Sequence, residues 1–210
     1  VMQSRKGKLM GIYTTKSKWQ GALRPVVAFC IQKRIHPDVL TVGGLGLSFA
    51  AGGALWLAWS NVNWLWLVPP CVLLRLVLNL LNGQIARAQG MADAWGEVKN
   101  EFGDRVADVA VFLGLAFGGY ADARLVALAL ALILCGSYLG ILGKALGGAR
   151  LYNGIFGKGD RMISLAAFTA YPLFSRNLAG YDGDLAFAAI AASVTVAQRL
   201  RRLHAQQSSR

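Results

Sequence analysis

The chain has 210 residues, 55% of them apolar and 15% charged, and its mean hydropathy is positive. That balance excludes a water-soluble domain, which needs a larger share of charged surface. The formal charge is +12, from 22 basic and 10 acidic residues, but the positives crowd the two ends of the chain rather than one soluble face, which favours a membrane surface and no nucleic acid.

The N-terminal crowd is Arg5, Lys6, Lys8, Lys16, Lys18, Arg24, Lys33 and Arg34. A start this basic and polar is not a cleavable signal peptide. Trp19, Leu23, Val26, Val27 and Ile31 recur there at helical spacing, and the pattern predicts an amphipathic helix lying in the membrane interface. His36-Pro37 ends it, and Pro37 suits the first turn of the next helix.

Six apolar stretches follow, at 39–59, 62–88, 94–118, 123–146, 161–174 and 185–203. Read as helices, they predict an all-α, polytopic membrane protein with six transmembrane helices. Neither repeats nor linkers divide it, so one domain is expected: a cytoplasmic tail and interfacial helix over 1–37, the bundle over 38–204 and a cytoplasmic tail over 205–210. Gly43, Gly44, Gly46, Gly52 and Gly53 in the first stretch permit close helix packing, and small-residue faces in the first and fourth permit a homodimer. Pro69-Pro70 predicts a kink in the second. Cys30, Cys71 and Cys135 lie in apolar surroundings without the short spacing of a zinc site.

With the N-terminus inside, the inner loops would hold Arg87, Lys99, Arg105, Lys144, Arg150, Lys158 and Arg161, and the outer turns Arg124 and Arg176. Basic residues gather on the cytoplasmic side, so both termini are expected there, with Arg199, Arg201 and Arg202 closing the last stretch. The location implied is an integral, bacterial inner-membrane one.

The second and third stretches carry a polar patch foreign to an inert membrane helix. Asn79, Asn82, Gly83, Ala86 and Gly90 share one helical face, and Glu97, Asn100, Glu101, Asp104 and Asp108 share another. Ionisable groups in a membrane face a cavity, a partner or an ion. One reading is structural: Asp104 and Asp108 pair with Arg87, Arg105 or Lys99 as buried struts. The other is a site, because the small residues among the polar ones leave room for a ligand.

From Asn79 to Asp104 the chain reads N-L-L-N-G-Q-I-A-R, eight residues, then G-E-V-K-N-E-F-G-D. This resembles the signature of the CDP-alcohol phosphotransferase family, D-x-x-D-G-x-x-A-R-x8-G-x3-D-x3-D. Gly83, Ala86, Arg87, Gly96 and Asp104 match in identity and spacing, while Asn79, Asn82 and Asn100 replace three aspartates.

The resemblance implies transfer of a substituted phosphate from a CDP-linked lipid donor, CDP-diacylglycerol foremost, to a small hydroxylated acceptor, with release of CMP near the cytoplasmic leaflet. It implies Mg2+ or Mn2+ at the positions of Asn79, Asn82, Asn100 and Asp104, with Asp104 also the general base. It further implies donor contacts from Asn79, Asn82, Gly83, Ala86, Arg87, Asp93, Asp38 and Thr41. Asparagine offers a neutral carbonyl oxygen where aspartate offers a charge; Glu97, Glu101 and Asp108 lie on the same face and could restore it.

Lys144, Arg150, Lys158 and Arg161 surround a glycine-rich turn. They suit an anionic acceptor, and they equally suit the basic loop that topology requires. A binding-only relative that scaffolds lipid synthesis is the alternative function. A transporter would call for inverted repeats, and none is visible.

Overall fold

The computed structural model describes residue 21 and residues 23–208. The basic residues Arg5, Lys6, Lys8, Lys16 and Lys18, and Trp19 of the expected interfacial helix, lie outside them. Seven α-helices are described: α1 (Arg24–Gln32), α2 (Pro37–Leu57), α3 (Val68–Ala88), α4 (Ala94–Gly118), α5 (Ala123–Ala145), α6 (Lys158–Ser175) and α7 (Gly180–Ser208), with a 3-10 helix, Val62–Leu67, leading into α3. The all-α expectation is met.

The count of six membrane spans is not. Among the described residues, three helices are long and apolar enough to cross a membrane: Pro37–Leu57, Val62–Ala88 and Ala123–Ala145. The physical reason is charge. The first half of α4 holds Glu97, Lys99, Glu101, Asp104, Arg105 and Asp108, α6 opens on Lys158, Asp160 and Arg161, and α7 carries Asp182 and Asp184 near its start and Arg199, Arg201 and Arg202 towards its end. A periodic apolar face is enough to pack such helices against neighbours, but not to offset this many charges in hydrocarbon. With three spans, the even-number argument for both termini on one side also lapses.

Local signals explain the helix starts. His36 caps α2, its Nδ1 accepting from the Asp38 N–H at 3.1 Å, with Pro37 in the first turn. Pro69 and Pro70 fall in the first turn of α3 rather than inside it, so the expected kink is replaced by a 3-10 segment that ends where the α-helix begins. Asp93 caps α4 by accepting from the Gly96 N–H at 2.6 Å, and a Cβ on Gly96 would stand 2.9 Å from that carboxylate oxygen. Gly90, with φ of 68°, lies beyond the end of α3 and so off the face it was expected to share.

α2 packs against α3 and α4, α5 against α7, and α6 against α3 and α7. The main core gathers Leu55, Leu65, Val68, Val72, Leu115, Ile133 and Leu185 around the fully buried Tyr181. The Tyr181 hydroxyl bonds Thr169 Oγ1 at 3.0 Å, and the Tyr120 hydroxyl donates to the Leu55 carbonyl at 2.6 Å. A second cluster seats α1 on α3, with Cys30 packed near Leu40, Leu81 and Ile85. Trp56, Trp59, Trp64, Trp66 and Phe174 face outward, as aromatic side chains at a lipid–water boundary do.

α2 and α4 approach so closely that a Cβ on Gly52 would strike the Ala110 carbonyl, and one on Gly114 the backbone of Gly52. Gly52→Val is therefore expected to destabilise the fold by about 1–3 kcal/mol, read as a lowered unfolding midpoint in detergent. Gly53→Ala, whose added carbon meets nothing within 4 Å, should leave it nearly unchanged.

Candidate active site

The candidate side chains meet where α3, α4 and α6 converge. Arg75, Asn79 and Asn82 follow one another at helical spacing on α3 and face Asn100, Asp104 and Asp108 of α4. Arg75 is 3% exposed, with its guanidinium 3.6 Å from Asp104 and 3.8 Å from Asp108. From α6, Lys158 pairs with Asp104, and Arg161 reaches Asp108 at 2.9 Å. Arg105 adds a contact to Asp108 at 3.6 Å. Burial pulls the Lys158 ammonium below the ordinary lysine range, while the Asp104 carboxylate acts to raise it.

These helices wall a cavity of about 500 Å³. Its polar end is lined by Asn79, Gly83, Arg87, Asn100, Glu101 and Asp104, and its basic wall by Arg105, Arg150, Lys158, Arg161 and Arg199. Leu73, Leu76, Val77 and Leu80 of α3, with Ile163 of α6, supply an apolar side. Arg87 folds over Gly83, whose added Cβ would lie 3.4 Å from the guanidinium. Asn82 is buried at the edge of this group; its Nδ2 donates to Thr41 Oγ1 at 2.9 Å and to Asn100 Oδ1 at 3.4 Å.

Not every residue named from the sequence reaches the cavity. Asp93 is an exposed helix cap, Asp38 pairs with Lys99, and Lys144 pairs with Glu97 outside the cavity wall. Ala86 does not line it either. Arg75 and Arg199 were missed. An arginine at the centre of the apolar run 62–88 is the signal for Arg75; Arg199 sits with the terminal basic cluster in sequence, yet its Nε donates to the Asn153 carbonyl at 2.9 Å and its Nη1 to that of Gly136.

No family model matches the chain. The inner membrane protein YnbA of Escherichia coli K12 is 32% identical over 154 residues, 73% of this chain and 76% of that protein. The phosphatidylinositol phosphate synthase of Mycobacteroides abscessus is 31% identical over 199 residues, 88% of this chain and 83% of that protein. The chain belongs to the CDP-alcohol phosphotransferase family. It is an integral membrane transferase of lipid metabolism. Its fold is shared with the Mycobacterium tuberculosis phosphatidylinositol phosphate synthase with CDP-DAG bound, at a TM-score of 0.70 and 22% identity over 85% of this chain and 92% of that one. The same enzyme in complex with manganese and citrate also gives 0.70, over 85% and 87%.

A family member thus holds a divalent cation, but the donor set of this transferase does not fit a pair of them. One carboxylate, Asp104, stands with three neutral amides at the four signature positions. Glu97, Glu101 and Asp108 are no free reserve, because each is paired with a cation: Lys144, Arg150 and Arg161 respectively. Among the described residues, no three acidic, histidine or cysteine side chains group as a metal site would require.

Removing Arg75 would leave Asp104 and Asp108 buried with less compensation. Arg75→Met is expected to cost about 3–5 kcal/mol, measured by detergent unfolding. A cost near zero would show that Lys158, Arg161 and Arg105 hold the two carboxylates without it.

Proposed function

We propose that this family member transfers a substituted phosphate from a CDP-linked lipid, with CDP-diacylglycerol the leading donor, to the hydroxyl of a phosphate-bearing acceptor. The observation that carries the reading is one cavity that joins an apolar side, the signature face of Asn79, Gly83, Asn100 and Asp104, and a wall of Arg150, Lys158, Arg161 and Arg199. Leu73, Leu76, Val77 and Leu80 suit the acyl end of the donor, Gly83 leaves room for its nucleotide, and Arg87 lies beside its phosphates. The basic wall suits an anionic acceptor. Relatives named phosphatidylinositol phosphate synthase make a product with a phosphorylated headgroup, which supports the same choice.

In the reaction, the acceptor hydroxyl oxygen attacks the phosphorus that carries the lipid. A new P–O bond forms, the P–O bond to the CMP phosphate breaks, and the electron pair leaves with CMP. The Asp104 carboxylate takes the hydroxyl proton. Neighbouring cations stabilise the charge that develops on the leaving phosphate and hold the acceptor in line. The crowding of basic residues around the cavity mouth supports placing it at the cytoplasmic side of a bacterial membrane.

A second reading, a binding-only relative, is favoured by Asn82, which replaces an aspartate of the signature and directs its amide N–H groups to Thr41 and Asn100. CMP release by the purified protein in lipid, with CDP-diacylglycerol and a panel of sugar and polyol phosphates, separates the two. Release that falls about 10²–10⁴-fold in Asp104→Asn is the expected result. Binding of the donor without release from any acceptor would establish the second reading.

A further inference from the structure

The transferase reading leaves open what neutralises the donor's pyrophosphate. We propose that Lys158, Arg161 and Arg87 do so, in place of bound divalent cations, at a cavity where Asn79 donates a hydrogen bond to the phosphates rather than ligating a metal. The inference rests on the CDP-lipid reading above.

Three observations point this way. The first is the orientation of the amides. The Thr41 hydroxyl lies 3.5 Å from the Pro37 carbonyl as its donor, so its oxygen accepts from Asn82 Nδ2 at 2.9 Å. That fixes the NH2 side of Asn82 towards Thr41 and Asn100, whose Oδ1 is then occupied as an acceptor at 3.4 Å. One carbonyl oxygen that would ligate a cation, Asn100 Oδ1, is thus already engaged by an amide N–H.

The second is an orphan donor. Asn79 lines the cavity, and its Nδ2 is buried without a hydrogen-bond partner. A buried N–H is costly to leave unpaired. An oxyanion satisfies it, whereas a metal cation cannot.

The third is charge. The cavity is lined by Arg87, Arg105, Arg150, Lys158, Arg161 and Arg199 against two carboxylates, Glu101 and Asp104. Asp104, which a metal would need, already holds Lys158 and lies 3.6 Å from Arg75. α6 begins at the cavity wall with Gly157, Lys158 and Gly159, so its dipole adds to the positive potential there. A divalent cation entering this field is repelled; a pyrophosphate is drawn in and can exchange with Asp104 for the Lys158 ammonium.

The test is CDP binding by calorimetry to the full chain in lipid nanodiscs, in chelator and in millimolar Mg2+ or Mn2+, with Mn2+ binding followed separately by electron paramagnetic resonance. The expected result is a Kd in chelator within about threefold of that with metal, and no stoichiometric Mn2+ on the nucleotide-free protein. Lys158→Gln should weaken binding in chelator about tenfold or more. The combined Asn79→Asp, Asn82→Asp and Asn100→Asp variant should invert the pattern, taking up Mn2+ and binding CDP only with metal. Should either variant fail to fold, the wild-type comparison decides alone. Wild-type binding that requires metal, or stoichiometric Mn2+ uptake, overturns this inference and leaves the CDP-lipid reading intact. Binding in neither buffer overturns both.

Discussion

Arg75 lies on the buried side of α3, and its guanidinium stands between Asp104 and Asp108 on α4. Those two carboxylates are in turn held from α6 by Lys158 and Arg161. Three helices that are distant in sequence are thereby joined at charged groups that each would be too costly to bury alone. The cavity lies beside this junction, walled by residues of all three helices.

Away from the junction the bundle is held by different means. Gly52 and Gly114 let α2 and α4 touch backbone to backbone, and the buried Tyr181 of α7 packs beside Tyr120 with its hydroxyl satisfied by Thr169 of α6. Among the described residues, the ion pairs that join helices gather at the junction rather than there.

The signature positions make chemical sense only with their neighbours. An aspartate at Asn82 would place a carboxylate beside Thr41 and Asn100; the amide instead donates to both. Opposite the neutral amides of α3, the carboxylates of Asp104 and Asp108 are compensated by Arg75, Lys158 and Arg161. Membership of the CDP-alcohol phosphotransferase family fixes the class of reaction, and the side chains around Asp104 set how charge is handled within it.

Much of this was legible in the sequence. The periodicity and composition determined an all-α membrane protein, the spacing from Asn79 to Asp104 put Asn79, Gly83, Asn100 and Asp104, which line the cavity, on two helical faces, and His36-Pro37 marked a helix start, because these are properties of neighbouring residues along one helix. The pairing of Lys158 with Asp104, of Arg161 with Asp108 and of Arg150 with Glu101 was decided by tertiary structure alone, since each joins helices or loops some 45 to 55 residues apart. The span count also failed at this level. An apolar stripe reads the same whether it faces lipid or a partner helix, and only the packing shows that Asp104 of α4, Lys158 and Arg161 of α6 and Arg199 of α7 line one cavity.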